Sequence, residues 1–416
     1  MLKHVEIHNI FRGFRDHLLL YYASFGGVSI YEWLSTKMIG AKLSVSNKKV
    51  RQATAVKSDI YEFFVDEIIK EACRLRASDI HLESGKEHYR VRFRIDGKLN
   101  EYVGGDMRHF QSMVNRIKYL ANMNIAEKRV AQDGAMQWSD PPVEIRISTM
   151  PTFYGEKCVL RLLVSQQLAN TFDYLGIPDT LKENYQKILR RNSGLILVTG
   201  PTGSGKTTTM YTSLQYLNHP QKNIVTIEDP IEYLLEGINQ MQIHEQRGIT
   251  FHTSLRAILR QDPDVIMIGE IRDQETADIA IRASLTGHQI LSTLHTHNTV
   301  SAIVRLLDMG IAPYLLVQGV SAIIAQRLVR KTCLSCHGAG CDQCYYTGYF
   351  GRIGVFEMLV MDDMLADCIT QKKSMRDLYR HLQEHQWMSM LDYAHQLKDG
   401  GVIDEREYQE LYYSLV

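Results

Sequence analysis

Cysteine is scarce in this chain: seven in 416 residues, four of them within positions 333–344. The other three, Cys73, Cys158 and Cys368, stand alone. A disulfide scaffold is therefore not expected, and a reducing compartment fits the usage. An excess of charge of one sign is also lacking, since Lys plus Arg equals Asp plus Glu at 47 each. That balance argues against a protein that grips nucleic acid over its whole surface. Long apolar runs are missing too. "MLKHVEIHNI" has no basic start followed by an apolar stretch, so no signal peptide is expected. The most apolar early segment, residues 18–30, is interrupted by Ser and Gly and falls short of the ~20 apolar residues that span a bilayer. Repeats and low-complexity segments are absent. What remains is a cytoplasmic globular protein. Its 45% hydrophobic and 23% charged residues suit two or three domains of roughly 150 residues each.

Residues 1–57 mix aromatic and charged residues without a firm period, and "AKLSVSNKKVRQATAVKSD" has linker character. From Asp59 the pattern turns helical: Tyr61, Phe64, Val65, Ile68, Ala72 and Leu75 recur at three- and four-residue steps. Cys73 beside that stripe reads as a small buried apolar residue. Alternation in "HYRVRFRID", "VEIRIST" and "KCVLRLL" predicts half-buried strands, with a turn at Asp96-Gly97 and a helix over "RHFQSMVNRIKYLANM". Together these predict a small α+β domain over residues 58–168. After a helix near 179–191, the apolar strands "LILVT", "NIVTIE", "DVIMIG" and "QILSTLH" alternate with helices. That is the pattern of a doubly wound parallel sheet, a second domain over 169–416. Helices around 374–385 and 405–415 should close it.

The chemistry starts at "GPTGSGKT", residues 200–207, which follows one of these strands and opens a helix. This is the context of a P-loop. The glycines let backbone N–H groups curl around phosphate oxygens, which makes Gly200, Pro201, Thr202, Gly203, Ser204, Gly205 and Thr208 the candidate nucleotide-binding residues. Lys206 supplies a charge for the β- and γ-phosphates of ATP, and Thr207 a hydroxyl for magnesium. The next strands end in Glu228, Asp229 and Glu232, in Glu270, Arg272 and Asp273, and in His295. Taken alone, each acidic end reads more simply as a helix cap or a solvated turn. Three behind a P-loop, at the carboxyl ends where open α/β sheets bind ligands, should converge on it. Hydrolysis needs one carboxylate to hold magnesium and another to orient or deprotonate water.

"CLSCHGAGCDQC" places Cys333, Cys336, Cys341 and Cys344 as two C-x-x-C pairs. Four thiolates make a closed tetrahedral zinc site, structural because no position is left for water.

"GPTGSGKTTTMY", "TIEDPIEY", "LRAILRQDPDVIMIGEIRD" and "TGHQILSTLHTHN" resemble, in order, the Walker A, Asp box, Walker B and His box of the type II secretion and type IV pilus ATPases. "ASDIHLES" and "VRFRIDGKL" resemble the small domain before the motor in that superfamily, and "GYFGRIGVFEML" the segment after its metal knuckle. The likeness covers residues 58–416. It implies a PAS-like α+β domain followed by a RecA-like P-loop motor domain with a zinc knuckle. It implies Glu232 as general base, Glu270 as the Walker B acid acting on magnesium through water, and His295, with His288 as a lesser candidate, as sensors of the γ-phosphate. Arg146 and Arg161 are the small-domain arginines that would reach the nucleotide. Ala135 stands where the family usually carries an arginine after Gln-Asp-Gly.

The resemblance further implies a homo-hexamer that turns or pushes an inner-membrane platform protein, peripheral at the cytoplasmic face and aided by a membrane-docking partner. The four cysteines point to assembly rather than retraction, although only "HGAG" joins the two pairs where the family has a longer loop. With about 55 residues ahead of the small domain, the family's extra N-terminal domain is expected to be reduced, and cyclic-dinucleotide binding is not expected. Three rival readings are a type IV secretion ATPase, a nucleic-acid motor and a nucleotide-binding regulator without turnover. No basic, aromatic-interleaved strip supports nucleic acid as a partner.

Overall fold

The computed structural model describes residues 64–163, 171–371, 373–385 and 387–415. The expected N-terminal segment 1–57 lies outside the described residues. The chain divides into two compact units, one ending at Val164 and the other starting at Ser165. No described helix is long and apolar enough to cross a membrane.

In the first unit a helix over residues 64–74 leads into β1 (Ala77–Glu83), β2 (His88–Ile95) and β3 (Lys98–Asp106). Helix α2 (Met107–Leu120) follows, then β4 (Gln132–Ser139), β5 (Pro142–Thr152) and β6 (Gly155–Leu163). The strands form one antiparallel sheet in the order β3-β2-β1-β6-β5-β4. Alternation decides its faces: Tyr89, Val91, Phe93 and Ile95 of β2 are buried while the intervening arginines point away. The β2–β3 turn is the expected Asp96-Gly97, both at positive φ (48° and 87°), the geometry that matches the twist of a hairpin. Phe110, Met113, Val114 and Ile117 seat α2 on the buried face. Each contributes about 1.5–3 kcal/mol of apolar burial.

That core also holds a buried ion pair. Lys118 of α2 is 0% exposed and Glu156 of β6 is 2% exposed. The ammonium bonds the Glu156 carboxylate and donates to the Glu127 carbonyl at 2.8 Å.

The second unit is built on β7 (Gly194–Thr199), β8 (Ile224–Glu228), β9 (Asn239–Gln242), β10 (Val265–Ile268), β11 (Gln289–Leu294), β12 (Val320–Thr332) and β13 (Tyr349–Val360). The order is β13-β12-β7-β11-β10-β8-β9, parallel throughout except for the β12–β13 pair. The central strands β7, β8, β10 and β11 are buried at every position because helices cover both faces. Leu195 and Leu197 join a core with α6 (Phe251–Ile258), α7 (Gln274–Leu285) and α8 (Thr299–Asp308), whereas Ile196 and Val198 join a core with α5 (Lys206–Leu217) and α12 (Met390–Asp399). The expected terminal helices are Met375–Glu384 and Glu405–Leu415. Strands β1, β3, β4, β9, β12 and β13 had no counterpart in the strand assignments made from periodicity.

Candidate nucleotide site and metal knuckle

The P-loop joins β7 to α5 at the carboxyl edge of the parallel sheet. Gly200 and Gly205 have positive φ, 154° and 90°. A Cβ on Gly200 would lie 2.5 Å from the Gln326 carbonyl oxygen, and one on Gly205 would lie 2.7 Å from Gln326 Nε2. Glycine is therefore required at 200 by the Gln326 backbone and at 205 by its positive φ, and Gln326 of β12 abuts the loop at both positions. Lys206 Nζ donates to the carbonyls of Gly200 (2.8 Å) and Pro201 (3.1 Å). Burial, aided by the nearby Arg327 charge and opposed by Glu270, pushes the Lys206 ammonium down to about 8. Thr207 is exposed in the first turn of α5, free to reach a cation on the phosphates.

The neighbouring strand ends bring Glu270 and His295 together: His295 Nε2 lies 3.3 Å from Glu270 Oε2. Arg272 donates to the other Glu270 oxygen at 2.5 Å and lies 3.8 Å from Asp229. Burial pushes the Glu270 carboxyl up, but the Arg272 hydrogen bond and the charges of Arg272, His295 and Lys206 hold it below the usual range. His295 is shifted down, first by burial and then by Lys206. Its imidazole is consequently neutral near pH 7.

Not every candidate belongs to this cluster. Asp273 caps α7, accepting from Thr276 N at 2.8 Å. Glu228 is buried and engaged: Tyr211 bonds one oxygen, while Thr226 Oγ1 (2.6 Å) and Gln240 Nε2 (3.0 Å) donate to the other. Glu232 has an exposed side chain, and its backbone N–H donates to the Tyr211 hydroxyl at 3.3 Å. His288 is a correction. It precedes β11, seven residues from His295, and its Nδ1 bonds the Ala283 carbonyl. At about 3.3 Å per residue the strand separates the two by roughly 23 Å, so His288 sits at the amino edge of the sheet, away from the P-loop.

In the first unit Arg146 pairs with Arg161 across β5 and β6. Arg161 also faces Asp79, to which its Nε donates at 3.1 Å, and Arg146 faces Ala135. Arg146 Nε lies 3.9 Å from Glu144.

The four knuckle thiols form the only cysteine, histidine or carboxylate cluster with metal-ligating geometry among the described residues. Their sulfurs lie 3.8 Å (Cys333–Cys341), 3.7 Å (Cys336–Cys344) and 3.7 Å (Cys341–Cys344) apart. A tetrahedron with Zn–S of about 2.3 Å has an edge of about 3.8 Å, so the donors fit zinc and are too far apart for disulfides. Gly340 N and Cys341 N donate to Cys336 and Cys344 sulfurs, both at 3.2 Å. Cys333 directly follows β12, and Cys344 is followed within five residues by β13. At the base, Arg330 bonds Glu407 at 2.8 Å and lies over the Tyr349 ring.

The periodicity reading missed three buried polar residues near the site: Gln326, Arg327 and Glu357. The signal was "SAIIAQRLV", an apolar run carrying an internal Gln-Arg, which reads as a strand whose polar pair must meet partners.

A family model for the type II/IV secretion system protein matches residues 54–410. The type II secretion system protein HxcR of Pseudomonas aeruginosa is 46% identical over 324 residues, 76% of this chain and 69% of that protein. The type II secretion system protein E of Dickeya dadantii is 44% identical over 343 residues, 76% of this chain and 69% of its own length. Among solved structures, the pilus retraction motor PilT with bound ADP matches with 30% identity and a TM-score of 0.61, over 83% of this chain and 96% of PilT. The ATPase DotB of Legionella pneumophila shares the fold at a TM-score of 0.67 and 21% identity, over 84% and 95% of the two chains.

Proposed function

Since the chain belongs to the type II/IV secretion system protein family and is a secretion ATPase, we propose that it works as a homo-hexameric motor. In this reading, ATP hydrolysis drives assembly of a type IV pilus or a type II secretion pseudopilus through an inner-membrane platform protein at the cytoplasmic face. The observation that carries the reading is the convergence of Lys206, Glu270 and His295 at the carboxyl edge of the sheet, coupled to one another electrostatically.

The P-loop amides and Lys206 bind the phosphates. Thr207, and Glu270 through water, would hold magnesium, which would supply charge neutralisation for the phosphates. Glu232, exposed on the neighbouring loop, takes the proton of the attacking water. His295 reports the γ-phosphate through Glu270. Arg146 and Arg161 supply always-charged planar donors to the nucleotide. Cys333, Cys336, Cys341 and Cys344 would hold zinc, which would brace the β12–β13 hairpin.

Deleting the gene and scoring pili, protein secretion and DNA uptake tests the assignment. Loss of one of these, restored by the wild-type chain and not by Lys206→Ala, is expected. Intact phenotypes, together with DNA-stimulated hydrolysis that vanishes at raised salt, would point instead to a nucleic-acid motor.

A further inference from the structure

Arg327 is 6% exposed, yet among the described residues no carboxylate lies within ion-pair distance of it. Its guanidinium donates to two backbone carbonyls, that of Gln326 at 3.1 Å and that of His297 at 2.8 Å. These carbonyls belong to different elements, the middle of β12 and the loop after β11. Gln326 lies at the level of the P-loop on β12, one residue past the Ala325–Thr199 pair. His297 lies in the loop that leaves β11 after Leu294. In the sheet order, β7 stands between β12 and β11. Arg327 therefore bridges over the end of β7, at the point where the chain becomes the P-loop.

The loop it reaches is the one that turns His295 back toward Glu270. Once β11 has ended, the His297 carbonyl has no ladder N–H to accept from, and the half-buried bond from Arg327 supplies its donor. The rest of the loop is pinned to the same scaffold. Thr296 Oγ1 lies 2.7 Å from Thr199 Oγ1, and the Glu357 carboxylate accepts from Thr299 N (2.8 Å) and Thr299 Oγ1 (3.0 Å). Glu357 pairs with Ala325, so it shares a sheet face with Arg327. On the opposite face Gln326 accepts from Thr209 Oγ1 at 2.6 Å and abuts both P-loop glycines. One dipeptide of β12 thus touches the phosphate cradle with one side chain and the His295 loop with the other.

We propose that Arg327 is a positioning residue for hydrolysis, its planar fork fixing the His295 loop against β12 so that His295 and Glu270 keep their mutual geometry. Binding of nucleotide belongs to the P-loop and does not need this fork. Its loss should therefore lower kcat more than affinity. The inference rests on His295 acting at the site as read above.

The test is a double-mutant cycle in the full chain, combining Arg327→Gln with His295→Ala. It reads kcat for Mg-ATP and Kd for an ATP analogue with a non-hydrolysable β–γ bridge. Arg327→Gln should lower kcat about 10-fold or more with Kd within about threefold, and Arg327→Lys, which keeps the charge but loses the fork, should lose about 3-fold. In the His295→Ala background either loss should shrink to less than about twofold. A full loss on top of His295→Ala, or a kcat within twofold of wild type for Arg327→Gln, overturns the proposal. Should Arg327→Gln fail to fold, Arg327→Lys decides by the same cycle. A neutral His295→Ala refutes the site reading itself, an outcome the single variants separate from failure of the Arg327 assignment.

Discussion

His295 Nε2 lies 3.3 Å from Glu270 Oε2, while Arg272 occupies the other oxygen of the same carboxylate. The acid is thereby shared between a fixed cation and an imidazole that burial and Lys206 keep neutral. Glu270→Gln preserves the shape but removes the charge that both neighbours face. It should lower kcat by about 100-fold or more while nucleotide affinity changes by less than about threefold. Steady-state hydrolysis beside equilibrium binding checks this, and near-normal turnover would remove Glu270 from the chemistry.

Lys206 sits low, at about 8, because burial disfavours its ammonium. Phosphate oxygens favour the charged form, so the bound protein has the higher pKa. Below pH 8 the lysine is already charged and binding is independent of its proton. Above pH 8 binding must take up a proton, and affinity should fall by up to about tenfold per pH unit. A Kd for ADP that stays flat from pH 7 to 9.5 contradicts this. Lys206→Ala should abolish turnover.

Glu232→Gln should bind ATP and fail to hydrolyse it. Its exposed carboxylate is free to approach a water, whereas Glu228, the other glutamate of the segment, is occupied by Tyr211, Thr226 and Gln240. Wild-type rates in Glu232→Gln would sink the general-base assignment.

Metal analysis of the purified chain should give about one zinc per protomer. Cys341→Ser removes a sulfur that lies 3.7–3.8 Å from two others and should release the ion. Finding no zinc, with four thiols titratable in the cluster, would refute the knuckle.

Lys118 and Glu156 form a buried ion pair in the first unit. Lys118→Ala leaves the carboxylate unpaired and should cost about 3–5 kcal/mol, while Lys118→Met, which fills the space, should cost clearly less in the Glu156→Leu background. Urea unfolding of the four variants reads the difference.

Local rules account for what could be read from residue order alone. The P-loop announces itself because its glycines, lysine and threonine act within eight consecutive residues. Strands β7, β8, β10 and β11 show as apolar runs because both faces are buried. The two C-x-x-C pairs are legible for the same reason, since their ligands come from one short segment. The site as a whole was less legible. Glu228, Asp273 and His288 lie within seven residues of candidate site residues in sequence, and only the structure shows that one is buried against Tyr211, one caps a helix and one sits at the far edge. Strand β12 escaped notice because its Gln326 and Arg327 look like exposed polar residues.

By itself, then, the sequence determined the nucleotide loop, the motor strands β7, β8, β10 and β11 and the cysteine quartet, each specified by residues a few positions apart. The tertiary structure alone decided that Glu270 meets His295, that Gln326 supports Gly200 and Gly205, and that Arg327 spans the end of β7. The physical reason is sheet order. The strand order β12-β7-β11 places residues about 30 and 125 positions apart at one carboxyl edge, and no spacing along the chain encodes that adjacency.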